Sequence, residues 1–269
     1  KFGYTNFSIE LEGFNYQNKY PESYIKGVVS SFDYSNYRYE NITMDGIYKD
    51  GGFNGRLALD DENGQVLIDG AFNVAQQISE VKLQASVRNL RPHTLNLSEK
   101  YEDSDISLNV MADFTGSSID DVNGRIRVDS LVLNTSGKQA YFMDNLTITA
   151  GQVAGEKEIQ LLSPFMTAVL RGDYSYQTVP TSILQTVQRY LPSLITLKKN
   201  QVRPSNNFRF DVQLSDGTFF NKMLFVPLEV HMPLSLKGYV NDKDGLLRME
   251  GYFPNLTYNG NRYESATLF

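Results

Sequence analysis

Apolar and polar residues alternate one by one through most of this chain, and that periodicity limits what it can fold into. Successive side chains of an extended strand point to opposite faces, so strict alternation marks a strand with one buried face. Leu57 and Leu59 alternate with Arg56 and Ala58, and Val66 and Ile68 resume the pattern after the turn-forming "DDENG". Val81, Leu83, Ala85 and Val87 form an apolar stripe, with Lys82, Gln84, Ser86 and Arg88 on the other face. Ile106, Leu108, Val110, Ala112 and Phe114 repeat it, followed by Ile126 and Val128, Leu146 and Ile148, then Phe208, Phe210, Val212 and Leu214. The punctuation is "KDGG", "DDENG", "DDVNG", "LSDG" and "DKDG", read as hairpin turns because Gly supplies the positive φ such loops need.

One segment departs from this period. In "TSILQTVQRYL", Ile183, Leu184, Val187, Tyr190 and Leu191 fall on one face of a helix, with Pro180 in its first turn and Pro192 at its end. A looser helical candidate is 165–170, and "LKKNQVRPSNN" reads as a loop back to strands. The expected fold class is therefore mainly β: a long curled sheet, antiparallel or mixed, with one short helical segment near 180–192. The organisation expected is a strand-rich region over 1–160, a helix-containing insert over 161–200 and a second strand-rich region over 201–269, in one continuous β-domain. The strand regions hold roughly 18–22 strands at about 10–12 residues each, too many for an open flat sheet, so the sheet must curl, close or split.

Composition removes several function classes. The net charge of −6 over 269 residues argues against a nucleic-acid binder, which carries a basic face. With no cysteine there is no disulfide, thiolate zinc site or Cys nucleophile. The two histidines, His93 and His231, have no metal-ligand spacing, and His231 reads as a satisfied or surface strand residue. Ser104, between two aspartates, reads as a loop rather than a nucleophile elbow. "DDENG" and "NDKDG" lack the ligand pattern of a calcium loop and read as turns. No enzyme, cofactor or metal is expected. No apolar run approaches the roughly 18–20 residues of a spanning helix. Both ends lie within strand-like sequence, so a piece of a longer protein is expected. Of six Asn-x-Ser/Thr sequons, at Asn6, Asn41, Asn96, Asn134, Asn145 and Asn255, two lie inside a recurring phrase, which favours strand grammar over glycan acceptors.

That phrase is "YENITMDG" at 39–46, returning as "YFMDNLTITAG" at 141–151 and as "NRYESATLF" at 261–269, each preceded by another strand and a turn. A hairpin written three times suggests an array in which each unit covers its neighbour's edge. Together with "YRYENITMDGIYKDGGFNGRLALDDENGQVLIDGAFN", "LVLNTSGKQAYFMDNLTITAG" and "EIQLLSPFMTAVLRGDYSYQTVPTSILQTVQRYLPSL", it resembles the TamB-like branch of the AsmA-like proteins, of Bacteroidetes type, over most of 25–200 and again at 246–269.

The resemblance implies an internal segment of a non-enzymatic envelope protein. It further implies a β-taco, an elongated trough with an apolar inside, that carries phospholipid acyl chains between inner and outer membrane and supports outer-membrane protein assembly. It implies a periplasmic location, an inner-membrane anchor outside this chain and an outer-membrane assembly barrel as partner. The floor candidates are the stripes above: Leu57, Leu59, Val66, Ile68, Val81, Leu83, Ala85, Val87, Ile106, Leu108, Val110, Ile126, Val128, Leu146, Ile148, Phe208, Phe210 and Val212. The helix carrying Ile183, Leu184, Val187, Tyr190 and Leu191 is the candidate cap. The same stripes suit an ordinary dry β-core, and the alternative function is a secreted or surface β-sandwich module binding a glycan or a protein.

Overall fold

The computed structural model describes residues 2–14, 22–73, 79–190 and 205–268. Sixteen strands join in a single open antiparallel sheet, mainly in chain order, β1 to β12, then β14 and β15, with β13 and β16 both against β15. They are β1 (Phe2–Phe14), β2 (Glu22–Tyr34), β3 (Tyr37–Lys49), β4 (Gly52–Asp61), β5 (Gly64–Asn73), β6 (Ser79–Leu90), β7 (Ser104–Gly116) and β8 (Asn123–Thr135). Then come β9 (Lys138–Val153), β10 (Glu156–Leu162), β11 (Met166–Asp173), β12 (Asn207–Leu214), β13 (Leu228–Val230), β14 (Leu234–Asn241), β15 (Leu246–Tyr258) and β16 (Asn261–Leu268). The mainly β class stands. Among the described residues the count is sixteen rather than roughly 18–22, because many strands run to 13 residues or more.

Two helices accompany the sheet: α1 (Val179–Tyr190) and α2 (Thr218–Leu224). Leu191 lies outside the described residues. The helical candidate at 165–170 is instead β11, bonded to β10 on one side and β12 on the other. A strand paired on both edges reads as a continuous apolar run, which periodicity cannot tell from a buried helical turn. "LSDG" leads into α2 rather than turning a hairpin, and Ser104 opens β7. Neither was expected.

The three copies of the recurring phrase are the second strands of hairpins β2–β3, β8–β9 and β15–β16. Their turns are Ser35–Asn36, Ser136–Gly137 and Asn259–Gly260, with both residues at positive φ in each case (52° and 66°, 51° and 72°, 49° and 78°). That is the primed geometry whose twist matches the flanking strands, and Gly or Asn adopts it at least cost. Asp50–Gly51 and Ala154–Gly155 repeat it.

The chain divides into two compact units, one of residues 1–117 and 124–146, the other of residues 118–123 and 147–269. In the first, alternation changes phase within three strands. Asn41, Asn89 and Ser130 hold φ of 54°, 47° and 52°. Tyr37 and Tyr39 point inward before Asn41, and Ile42 and Met44 after it. Asn89 passes the inward role from Val87 to Leu90, and Ser130 passes it from Val128 to Leu131 and Leu133. Asn89 is a bulge, where the β6–β7 register shifts between Val87 and Leu90, whereas the β2–β3 register runs unchanged past Asn41. Each left-handed residue keeps apolar side chains on one face where strict alternation would turn them outward.

In the second unit Phe208, Val240 and Tyr174 are buried together, with Ile159, Leu170, Phe210 and Leu247 packed around them and Val179 and Ile183 of α1 laid over them. A polar cluster ties α1 down. The buried Ser182 hydroxyl donates to Asp242 (2.8 Å), and the Asn206 side-chain amide donates to the hydroxyls of Ser182 and Thr178. Just before α1, Asp120 accepts from the Ser175 hydroxyl and the Tyr176 amide, both at 2.7 Å. Lys157 reaches the Tyr174 carbonyl and lies over the Tyr174 and Tyr176 rings. Burial pushes the Asp120 carboxyl up, but those two bonds and the Lys157 charge outweigh it and hold the group below the ordinary carboxylate range. At the other end of the unit Phe165 stacks on Phe219 of α2 (4.6 Å) and meets Phe220 edge-on.

Candidate functional site

Register converts the alternating stripes of the first unit into continuous rows. Phe7, Val29, Ile42, Leu59, Val66, Val87 and Leu108 are successive cross-strand partners from β1 to β7. Two residues along each strand, Ile9, Gly27, Met44, Leu57, Ile68, Ala85 and Val110 form a second row. Leu11, Ile25, Gly46, Gly55, Gly70, Leu83 and Ala112 form a third, and Tyr48, Phe53, Phe72, Val81 and Phe114 a fourth. None of these residues is Asp, Glu, Lys, Arg or His. The rows therefore make one apolar surface, and it is incompletely covered: Leu57 is 37% exposed, Phe72 47% and Leu11 66%.

Glycine is required in the third row. A Cβ on Gly70, whose φ is +156°, would fall 2.2 Å from the Lys82 carbonyl oxygen, and one on Gly55 would fall 2.3 Å from that of Asp45. Three neighbouring strands thus lack side chains at one level, which lowers the floor there and lets the backbones approach closely.

The opposite face is largely polar, with Val28, Ile47 and Leu67 exposed among the charges. Glu10, Lys26, Asp45, Arg56 and Asp69 are successive cross-strand partners of alternating charge. Arg56 pairs with Asp69 at 2.9 Å, Lys82 with Asp113 at 3.7 Å, and the Tyr24 hydroxyl donates to Asp45. A shallow concavity of about 660 Å³ lies over this side between Asn54, Lys82 and Arg127. Exposed pairs of this kind contribute little stability and describe a solvated surface.

In β4 the apolar rows stop abruptly along the strand. The inward residue after Leu59 is Asp61, 5% exposed, whose carboxylate accepts from the Tyr37 hydroxyl (2.5 Å) and from the Glu40 and Asn63 amides. The connection between β6 and β7 closes over this end. Its Leu95 is fully buried, and the Leu95 carbonyl accepts the hydroxyl of Tyr39 at 2.7 Å. Since Tyr39 belongs to β3, the connection crosses the ends of β4 and β5.

Comparison of the chain with family models, curated proteins and solved structures gives no match. The site must be read from its residues alone.

The structure brings Leu57, Leu59, Val66, Ile68, Val81, Leu83, Ala85, Val87, Leu108 and Val110 onto one face, with Ile106 buried at its closed end. Ile126 and Val128 are half-buried in β8, and Leu146 is buried in β9. In the second unit Ile148, Phe208, Phe210 and Val212 also share a face: Ile148 continues through Leu161, Ala168 and Val212, Phe210 is flanked by Leu170 and Gly238, and Phe208 by Gly172 and Val240. Phe208 is covered by Tyr174 and α1, so at that position the stripe is dry core. Of the cap residues, Ile183 packs on this cluster. Leu184, Val187 and Tyr190 lie in α1, but their side chains lie outside the described residues.

Sequence reasoning passed over Leu131, Leu133, Met143 and Leu95, all more deeply buried than most residues it named. The available signal was a left-handed-tolerant residue standing between two apolar pairs out of phase, as in "DSLVL" and "ENITM". Among the described residues no cluster of three or more His, Cys, Asp and Glu could hold a metal ion, and no helix is long and apolar enough to cross a membrane. His231 is exposed and shares a hydrogen bond with Thr257. Ser104 bonds the Glu102 carbonyl and Thr135.

Proposed function

We propose that the apolar face of β1–β7 carries phospholipid acyl chains, as one stretch of a TamB-like protein that bridges a diderm cell envelope and supports outer-membrane biogenesis. The observation that supports this reading is the set of adjoining apolar rows, three across seven strands and a fourth from β3 to β7, part-exposed and without an Asp, Glu, Lys, Arg or His. Each methylene withdrawn from water contributes about 0.8 kcal/mol, so such a face holds hydrocarbon well. With no polar side chain to grip the tail, one ladder step binds as well as the next, and a chain can move across the strands. This suits a carrier better than a receptor with one fixed pose. In this reading the protein is periplasmic, its anchor and its partners at either membrane lie outside this segment, and it performs no chemistry.

The test is to purify the protein without detergent, extract it with organic solvent and assay phospholipid by mass spectrometry, alongside photocrosslinkers at Leu83 and Leu108. Co-purified phospholipid and crosslinked lipid are expected. A lipid-free extract together with no crosslinked lipid overturns the reading.

A further inference from the structure

We propose that the closed end of the first unit is a stop that measures acyl-chain length, a reading that rests on the lipid-carrying function above. The apolar face has different boundaries in its two directions. Across the ladder three of its rows continue from β1 to β7 without a polar step, and the fourth runs from β3 to β7. Along the strands it ends at the buried Asp61 carboxylate and at Leu95, which Tyr39 holds in place.

A tail lying along the strands therefore meets a wall at its methyl end. Asp61 is held in place by three hydrogen bonds and leaves no space for hydrocarbon, and the buried Leu95 closes over it. The other end of the same strands, at Phe72, is 47% exposed and leaves room for a headgroup in water. The distance between the two ends is set by the strand. Leu59 to Phe53 and Val66 to Phe72 each span the four rows. Six residues at 3.3–3.4 Å make about 20 Å, which an extended hydrocarbon at about 1.3 Å per carbon fills with about 16 carbons. The substrate class is thus a phospholipid with tails near that length, and Leu95 and Tyr39 are specificity-determining residues.

The test offers the purified protein vesicles containing equal amounts of phosphatidylethanolamines with saturated chains of about 12, 14, 16, 18 and 20 carbons, a series built around the strand span. Retained lipid is then quantified by mass spectrometry. The native protein is expected to retain the middle of the series best. Leu95→Gly, which opens the wall, should move the optimum up by at least about two carbons, one step of a series matched to the strand span. Tyr39→Phe keeps the ring and removes only the bond to the Leu95 carbonyl. It should broaden the distribution towards long chains, and it carries the readout if the glycine variant does not fold. Lys82→Glu on the polar face should leave the distribution unchanged. Lipid retained with no length preference, or an optimum unmoved in a folded variant, overturns the stop while leaving the carrier reading standing. Retention of no lipid at any length overturns the carrier reading itself.

Discussion

Asp61 and Tyr37 show how single residues set the limits of this surface. Burial first, and then the hydrogen bond to Asp61, push the Tyr37 hydroxyl up to about 12 from its ordinary 10.0. A group whose folded pKa is raised contributes stability that is complete below the unfolded value and lost as pH climbs through the folded one. Stability of the first unit should therefore hold to about pH 10 and fall from there through about pH 12. Urea midpoints at about pH 9 and about pH 11.5 should differ in the native protein and differ less in Tyr37→Phe. Gly70 sets a second limit. A Cβ there collides with the neighbouring strand's backbone at a φ that other residues rarely adopt. Gly70→Val should cost at least about 2 kcal/mol in denaturant unfolding, whereas the same change at the exposed Leu67, on the other face, should cost much less.

At the scale of elements, hairpins were legible because their turns are local. "KDGG", "DDENG" and "DKDG" all reverse the chain between consecutive strands; Asp50 and Gly51 of the first both take positive φ, and Gly245 of the last does, because turn chemistry is local and not a property of the fold. Helix α1 was legible for the same reason: its 3.6-residue spacing repeats over three turns. Helix α2 was not. Seven residues beginning at Thr218 with adjacent phenylalanines hold too little period to read, and it is packing of Phe219 and Phe220 on Phe165 that accompanies the helix. The anchoring of α1 was equally hidden, because Ser182, Asn206 and Asp242 are far apart in the chain. Ser182→Ala should cost about 1–3 kcal/mol in unfolding free energy, since Asp242 and Asn206 each lose a buried partner. The Asp120 carboxyl is held low, so its contribution is present above the ordinary carboxylate range and lost as pH falls through its folded value. Asp120→Ala should lower the protection of the Tyr176 amide against hydrogen exchange at neutral pH, and acidification should lower that protection, relative to the intrinsic exchange rate at each pH, in the native protein.

For the whole molecule, one sheet built mainly in chain order lays its apolar residues out as a face rather than a pocket. Leu83, between Gly70 and Ala112, stands in the row where glycines lower the floor. Leu83→Asp should reduce co-purified phospholipid about tenfold or more, because a carboxylate set among hydrocarbon costs well over the 1.4 kcal/mol that a tenfold change represents. Lys82→Glu, one residue away on the polar face, should leave lipid retention at the native level.

What the chain determined by itself is local: alternation fixed which residues prefer an apolar face, primed turns fixed where strands reverse, and a spaced apolar helix announced α1. Phase and neighbourhood were decided only in the tertiary structure. Left-handed residues at Asn41, Asn89 and Ser130 exchange the inward set within a strand, and only the ladder shows that Ile42, Leu59, Val66 and Val87 are one row. The first copy of the recurring phrase, "YENITMDG", contains one such exchange at its asparagine, Asn41. Alternation is a property of one strand, whereas a surface is a property of register between strands. Register is settled by the packing of many side chains at once.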